Sequence, residues 1–315
     1  MRVIDGKRVN TQVASRDFKY YIFDWDDNIL HMPTRIYLEK MCDDGVWRPV
    51  AVSTSTFALV RTDEKRYRLP RNGGRAAAFR DFQDVPGDIA NQAFIRDTKA
   101  ALKRIASGDA PGPSFETMRK TLREGRIFAI VTARGHAPDT IREAVKLFID
   151  SVLTPEEREE MMCSLRGYRW WLDKRTTFGT DAEELDYYLS MCRYHAVTSP
   201  DFKERLEDDE DFGARVAAAT SAERPELAKE FAIRDFVEHI IHTLDRTGGL
   251  ELRRPMSVGF SDDDPGNVKA VSSYIRDELA DRFGSVKFVV YDTSDASLSS
   301  GRKVTVAGQL DLPGF

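Results

Sequence analysis

Continuous apolar runs in this chain alternate with longer stretches whose apolar residues recur every three or four positions, and three of the runs stop abruptly in polar clusters. A strand opening at about Phe18 runs through Tyr20-Tyr21-Ile22-Phe23 and halts at Asp24-Trp25-Asp26-Asp27-Asn28. Ile127 to Val131 halts at Thr132-Ala133-Arg134-Gly135-His136, and Met256 to Phe260 halts at Ser261-Asp262-Asp263-Asp264. A fourth run spans Val286 to Tyr291. Unbroken runs such as Tyr20 to Phe23 and Ile127 to Val131 suit strands buried on both faces of a parallel sheet, and Met256 to Phe260 and Val286 to Tyr291 read as two further strands. Helical spacing fills the intervals. Phe94 to Ile105 forms one helix, and Phe115, Met118 and Leu122 mark a second, with Ser114 as its N-cap and Gly125 as its stop. Ile141, Val145 and Phe148 mark a third; Phe236, Ile240 and Leu244 a fourth; Val268, Val271, Ile275 and Leu279 a fifth. This alternation predicts an α/β fold with a doubly wound, Rossmann-like parallel sheet.

Two stretches interrupt the rhythm. Residues 1–30 open the core, 31–93 read as an inserted cap module, 94–150 return to the core, 151–228 read as a second, mainly helical insertion, 229–291 close the core, and 292–315 form a tail. Within the first insertion Pro33 predicts a helix through Ile36-Tyr37-Leu38, followed by strands at Trp47 to Val52 and Phe57 to Arg61 and a short one at Tyr67 to Leu69. The second opens on Thr154-Pro155-Glu156-Glu157, a capping box. Val304 to Val306 have no clear assignment.

Composition narrows the class. The chain has 315 residues, 41% hydrophobic, with a net charge of −5. It can bury a large core, and its bulk charge does not announce nucleic-acid or membrane binding. No apolar run approaches the roughly 20 residues that span a bilayer, so no membrane and cytoplasmic residence are the expectation. Cys42, Cys163 and Cys192 are scattered, without metal-ligand spacing, and read as reduced thiols.

In an open α/β sheet, ligands bind at the carboxyl ends of the strands. Three polar tips side by side would bring carboxylates, a hydroxyl and a guanidinium into one crevice. That set suits phosphoryl transfer, with a carboxylate nucleophile, a second carboxylate for proton work and oxygen ligands for Mg2+.

With its Asp24-x-Asp26 loop, its Thr132 tip and its Asp262-Asp263 pair in this order, the chain resembles the haloacid dehalogenase (HAD) superfamily over about half its length. The resemblance implies a HAD core with cap insertions and a Mg2+-dependent phosphomonoesterase working through an aspartyl phosphate. Asp24 would be the nucleophile and Asp26 the general acid and base. Thr132 would bind phosphate, and Lys229, at the start of the helix before the third strand, would be the bridging lysine, with Arg234 and Lys203 as weaker substitutes. Asp24, the main-chain carbonyl of Asp26, Asp262 and Asp263 would hold the metal; Asp263 and Asp264 are the alternative register. Arg134 completes a Thr-x-Arg tip like that of polynucleotide 3'-phosphatases and would grip phosphate; pairing with Asp139 or capping the next helix is its bland reading. Where the family carries Thr or Val two residues past the second acid, this chain has Asn28.

The substrate would be phosphorylated, of unknown class. Arg66, Arg68, Arg71 and Arg75 make a nucleotide or nucleic-acid end one option, against a solvated loop face. The competing functions are a catalytically silent HAD-fold binding protein and a HAD phosphotransferase or polynucleotide 3'-phosphatase. His239 and His242, i and i+3 on a helix with no third ligand, read as partly buried surface histidines, and His136 as a substrate contact is the minor reading.

Overall fold

The computed structural model describes residues 1–220, 223–252, 254–295, 298 and 301–307. A small hairpin, β1 (Arg2–Ile4) and β2 (Lys7–Val9), turns at Asp5-Gly6, both with positive φ. The core begins with β3 (Phe18–Phe23). Alternate β3 residues divide between two faces: Phe18, Tyr20 and Ile22 enter one apolar cluster and Phe23 the other. That division explains why Tyr20 to Phe23 is apolar, while Lys19 near the start of the strand is exposed.

After β3 the chain makes a three-stranded antiparallel sheet from β4 (Ile36–Met41), β5 (Trp47–Val52) and β6 (Tyr67–Arg68), with α1 (Thr54–Val60) and α2 (Gly74–Ala78). Two expectations are corrected here. Ile36-Tyr37-Leu38 is strand rather than helix, because pairing with Val52 to Val50 turns Ile36 and Leu38 together into a small core. Phe57 to Val60 is helix rather than strand, because Ser53 caps it: its Oγ accepts the Thr56 amide at 3.0 Å.

The core resumes with α3 (Ala93–Ala106), α4 (Phe115–Arg123), β7 (Phe128–Thr132) and α5 (Pro138–Val152). Then come α6 (Pro155–Trp171), α7 (Asp181–Met191), β8 (Arg193–Ala196), α8 (Pro200–Glu207) and α9 (Phe212–Ala218). The expected capping box at Thr154 is formed. Residues 151–228 are not insertion throughout, because β8 pairs in parallel with β7 and extends the central sheet. The four residues Arg193-Tyr194-His195-Ala196 carry too few apolar side chains to read as a buried strand.

The last third comprises α10 (Arg224–Arg246), β9 (Met256–Asp262), α11 (Pro265–Tyr274), β10 (Val286–Asp292) and β11 (Arg302–Ala307). β11, where no element was assigned, pairs antiparallel with β10, so the tail closes a sheet edge; its serine-rich approach lies partly outside the described residues. The sheet order is β11-β10-β9-β3-β7-β8, parallel except for β11. Helices cover both faces, with α8 to α11 against one and α3 to α7 against the other. From β3 the chain moves outward to β7 and β8, then returns across β3 to β9. The order therefore reverses between β3 and β9, and the crevice there is where such sheets take their ligands.

Candidate active site

Register decides which side chains meet. Phe23 lies opposite Ser261 on β9 and Ile130 on β7, so one residue further Asp24 stands beside Asp262, and Asp26 stands just beyond the level of Thr132. The Asp24 amide continues the ladder by donating to the Ser261 carbonyl at 3.1 Å. The chain then folds into one tight turn: the Ile29 and Leu30 amides both donate to the Trp25 carbonyl, and Asp27 adopts φ 56°. Trp25 points away from the crevice, fully buried against Phe94 and Phe148. Its truncation to alanine would cost roughly 3–5 kcal/mol.

Asn28 locks this turn. Its Nδ2 donates to the Asp24 carbonyl at 3.0 Å and to the Ser261 hydroxyl at 3.0 Å, while its Oδ1 accepts from Ser114 at 2.8 Å and Thr293 at 2.9 Å. Ser114, expected to cap α4, gives its hydroxyl to Asn28 and makes no side-chain cap. The approach of this segment requires glycine at position 112, because a Cβ there would lie 2.5 Å from the Asn28 carbonyl oxygen. A valine or threonine in place of Asn28 could not satisfy these four polar partners, three of which lie on other segments.

Asp24, Asp262 and Asp263 each direct one carboxylate oxygen into a space where these atoms lie within 4.8 Å of one another. Lys229, buried on α10, donates to Asp262 at 2.5 Å and stands 3.9 Å from Asp24. Burial pushes the Asp24 carboxyl well up; the Lys229 charge opposes this, and Asp262, Asp263 and Asp26 add to it. Burial and the neighbouring Asp262 and Asp27 push Asp263 up to about 7. Lys229 is held above the usual lysine range: burial acts against its charge, but Asp262 and Asp24 outweigh that. One lysine thus serves three crowded acids.

Asp264 stays out of this cluster. It caps α11, accepting the Gly266 amide at 2.7 Å. Asn267, not singled out in the sequence, donates to Asp262 at 3.1 Å. The substitutes for Lys229 are elsewhere: Lys203 is exposed, and Arg234 is bound to Asp209 and to Asp211.

The second tip is organised differently from the expectation. Arg134 is completely buried and grips Asp26, Nε to Oδ2 at 2.8 Å and Nη2 to Oδ1 at 2.6 Å. Its Nη2 also donates to Thr34 at 2.7 Å, its plane lies over Phe82 and Phe94, and its Nη1 makes no hydrogen bond to any described residue. Thr132 also turns to Asp26, at 3.3 Å. Neither Asp139 nor a helix end engages Arg134. His136 is buried under Phe94 and bonded to Asp84, which also accepts the Ala137 amide and the Thr140 hydroxyl, so His136 belongs to a helix-capping cluster. Thr34 and Asp84, both in the 31–93 segment, escaped sequence reading because only the folded chain brings them to the tip.

His239 bonds to Arg193 and to the Met191 carbonyl on another part of the molecule. Cys42, Cys163 and Cys192 are free thiols. An apolar cavity of about 70 Å³, lined by Phe18, Tyr20, Ile127 and Tyr188 among others, opens at the amino end of β3, away from the acids. No described helix is long and apolar enough to cross a membrane. No protein-family model, curated protein or solved structure matches the chain.

Proposed function

We propose that this chain is a HAD-type, Mg2+-dependent phosphomonoesterase that works through an aspartyl phosphate on Asp24. The observation that carries the reading is the convergence of Asp24, Asp262, Asp263 and Lys229 at the reversal of strand order. Three hard oxygen donors with raised or crowded carboxylates fit a small divalent cation such as Mg2+, with Asp24, Asp262 and Asp263 as its holders. Bound there, the cation would offset the repulsion between the carboxylates and a phosphate.

In the reaction, an Asp24 oxygen attacks phosphorus and the bond to the leaving oxygen breaks, giving the acyl phosphate. Asp26 delivers a proton to the leaving oxygen, then takes one from the water that attacks phosphorus and restores Asp24. Lys229 holds the Asp24 and Asp262 carboxylates in place. While Arg134 grips Asp26 through both oxygens, Asp26 is an acceptor only. An arriving phosphate monoanion competes for this guanidinium, whose Nη1 has no partner among the described residues; once released, Asp26 takes up the proton that the monoanion carries and passes it to the leaving oxygen.

The test is hydrolysis of a generic aryl phosphate with and without Mg2+. Metal-dependent release of phosphate is expected. Its absence over a broad panel of phosphate esters would favour the silent binding protein.

A further inference from the structure

The three-stranded sheet of β4, β5 and β6 buries one face, and among the described residues no helix or strand packs on the other. Ile36, Leu38, Val50 and Val52 pack inward with Phe57 and Phe82. Pairing of Tyr37 with Ala51, Glu39 with Pro49 and Arg68, and Met41 with Trp47 sets these residues on the opposite face. Two aromatic rings there each carry a guanidinium: Arg80 lies 3.5 Å over Tyr37 and Arg68 lies 3.9 Å over Trp47. Each stack is pinned by an acid, since Tyr37 donates to Asp81 at 2.7 Å and Arg68 pairs with Glu39 at 2.6 Å.

This face leads away from the candidate active site. Thr34, just before β4, accepts from Arg134, and Thr54, just after β5, donates to Asp27 at 2.8 Å. The Tyr37 stack is therefore at the site end of the sheet, and the Trp47 stack, opposite Met41, lies four residues further out, roughly 13 Å along the strand. Charge follows the same line. Residues 61–80 hold seven Arg or Lys against two Asp or Glu in a chain whose net charge is −5. Arg71, Arg75 and Arg80 make no ion pair with any described residue.

We propose that this face is a platform for single-stranded nucleic acid, with the strand's phosphate-bearing end at Asp24; the second clause rests on the phosphatase reading, the first does not. Unpaired bases stack on aromatic rings and on guanidinium planes, and basic side chains follow the backbone. A duplex hides its base faces and would lose the stacking. A small phosphate ester held at Asp24 would not reach the platform.

The experiment measures fluorescence anisotropy of an unphosphorylated, end-labelled oligothymidine of about ten nucleotides, a length within the reach of such surfaces, against the parent protein and Arg68→Gln/Arg80→Gln. Circular dichroism reports the fold of each. Because Arg80 is exposed, Arg80→Gln alone is the second variant should the double one unfold. The expected result is binding by the parent that weakens steeply with salt, about tenfold weaker binding of the duplex, and a loss of about tenfold in the double variant or threefold in the single one. No binding by the parent, equal binding of duplex or heparin, or unchanged affinity in a folded variant would overturn the platform. Because the strand carries no terminal phosphate, these results do not depend on turnover. Failure of the aryl phosphatase assay removes the Asp24 chemistry alone.

Discussion

Two groups of charge, one half-buried and one buried, obey opposite rules in this molecule. Beside β8, His195 approaches Asp235 at 3.2 Å and Arg205 also binds it, while Arg234 serves Asp209 and Asp211. Burial alone would raise the Asp235 carboxyl, but His195 at 3.2 Å and the Arg205 and Arg193 charges bring it down to about 2. At the reversal between β3 and β9, by contrast, three acids share Lys229, and Asp24 and Asp263 are pushed up. A fold gains nothing from surplus like charge in its interior. Compensated charge reads as architecture, whereas the uncompensated acids are where the proposed cation would sit.

The comparison breaks most visibly at its centre. Asp24→Asn removes one surplus negative charge together with the proposed nucleophile, so turnover should fall by at least roughly 10³-fold, about 4 kcal/mol of barrier, while the midpoint of thermal unfolding should rise. Steady-state kinetics and calorimetry on the same preparation check both halves. A destabilised variant would mean that Asp24 is an ordinary ion-pair partner.

The opposite result is expected on the other side. Asp235→Asn leaves His195 and Arg205 without their acid and should cost about 2 kcal/mol, read by urea denaturation. A neutral outcome would erase the contrast.

Metal and pH sharpen the contrast further. For a carboxyl raised in the folded state, the protonated form is the one the fold prefers. Its contribution to stability is therefore present below the ordinary carboxyl range and is lost as pH rises through the folded value, about 7 for Asp263. A bound cation relieves that loss. Mg2+ should thus raise the unfolding midpoint more at pH 8 than at pH 6, as thermal melts would show. Equal shifts at both pH values would argue against these acids as its ligands.

The smallest effect is reserved for Asp264. Its change to alanine should remove a helix cap worth about 1 kcal/mol and leave the Mg2+ dependence of turnover nearly untouched, whereas Asp262→Ala should raise the metal requirement strongly.

The parallel strands β3, β7, β9 and β10 were legible because their central residues are buried on both faces of the sheet and so mostly apolar. Strand β8 was not, since its Arg193 and His195 find their neighbours on a distant helix, Arg193 bonding His239 and His195 standing 3.2 Å from Asp235. Likewise, Ile36 to Leu38 is strand only through its pairing with β5. Asp24, Lys229, Asp262 and Asp263 were singled out by the resemblance to the HAD superfamily, at strand ends and near a helix start, and do converge. What sequence could not show is direction: Thr132 and Arg134 face Asp26, and His136 faces Asp84. A side chain's partner depends on segments such as Thr34 and Asp84 that lie far off in the chain.

The most direct test of the account asks whether phosphate becomes bonded to Asp24. Rapid acid quench during the first turnover, followed by peptide mass spectrometry, reads this on the parent protein and on Asp26→Asn, which should accumulate the intermediate because it lacks the base that activates water. The account predicts one added phosphoryl group on the peptide containing Asp24, lost upon Asp24→Asn. Turnover with no adduct, or an adduct on another residue, would contradict it.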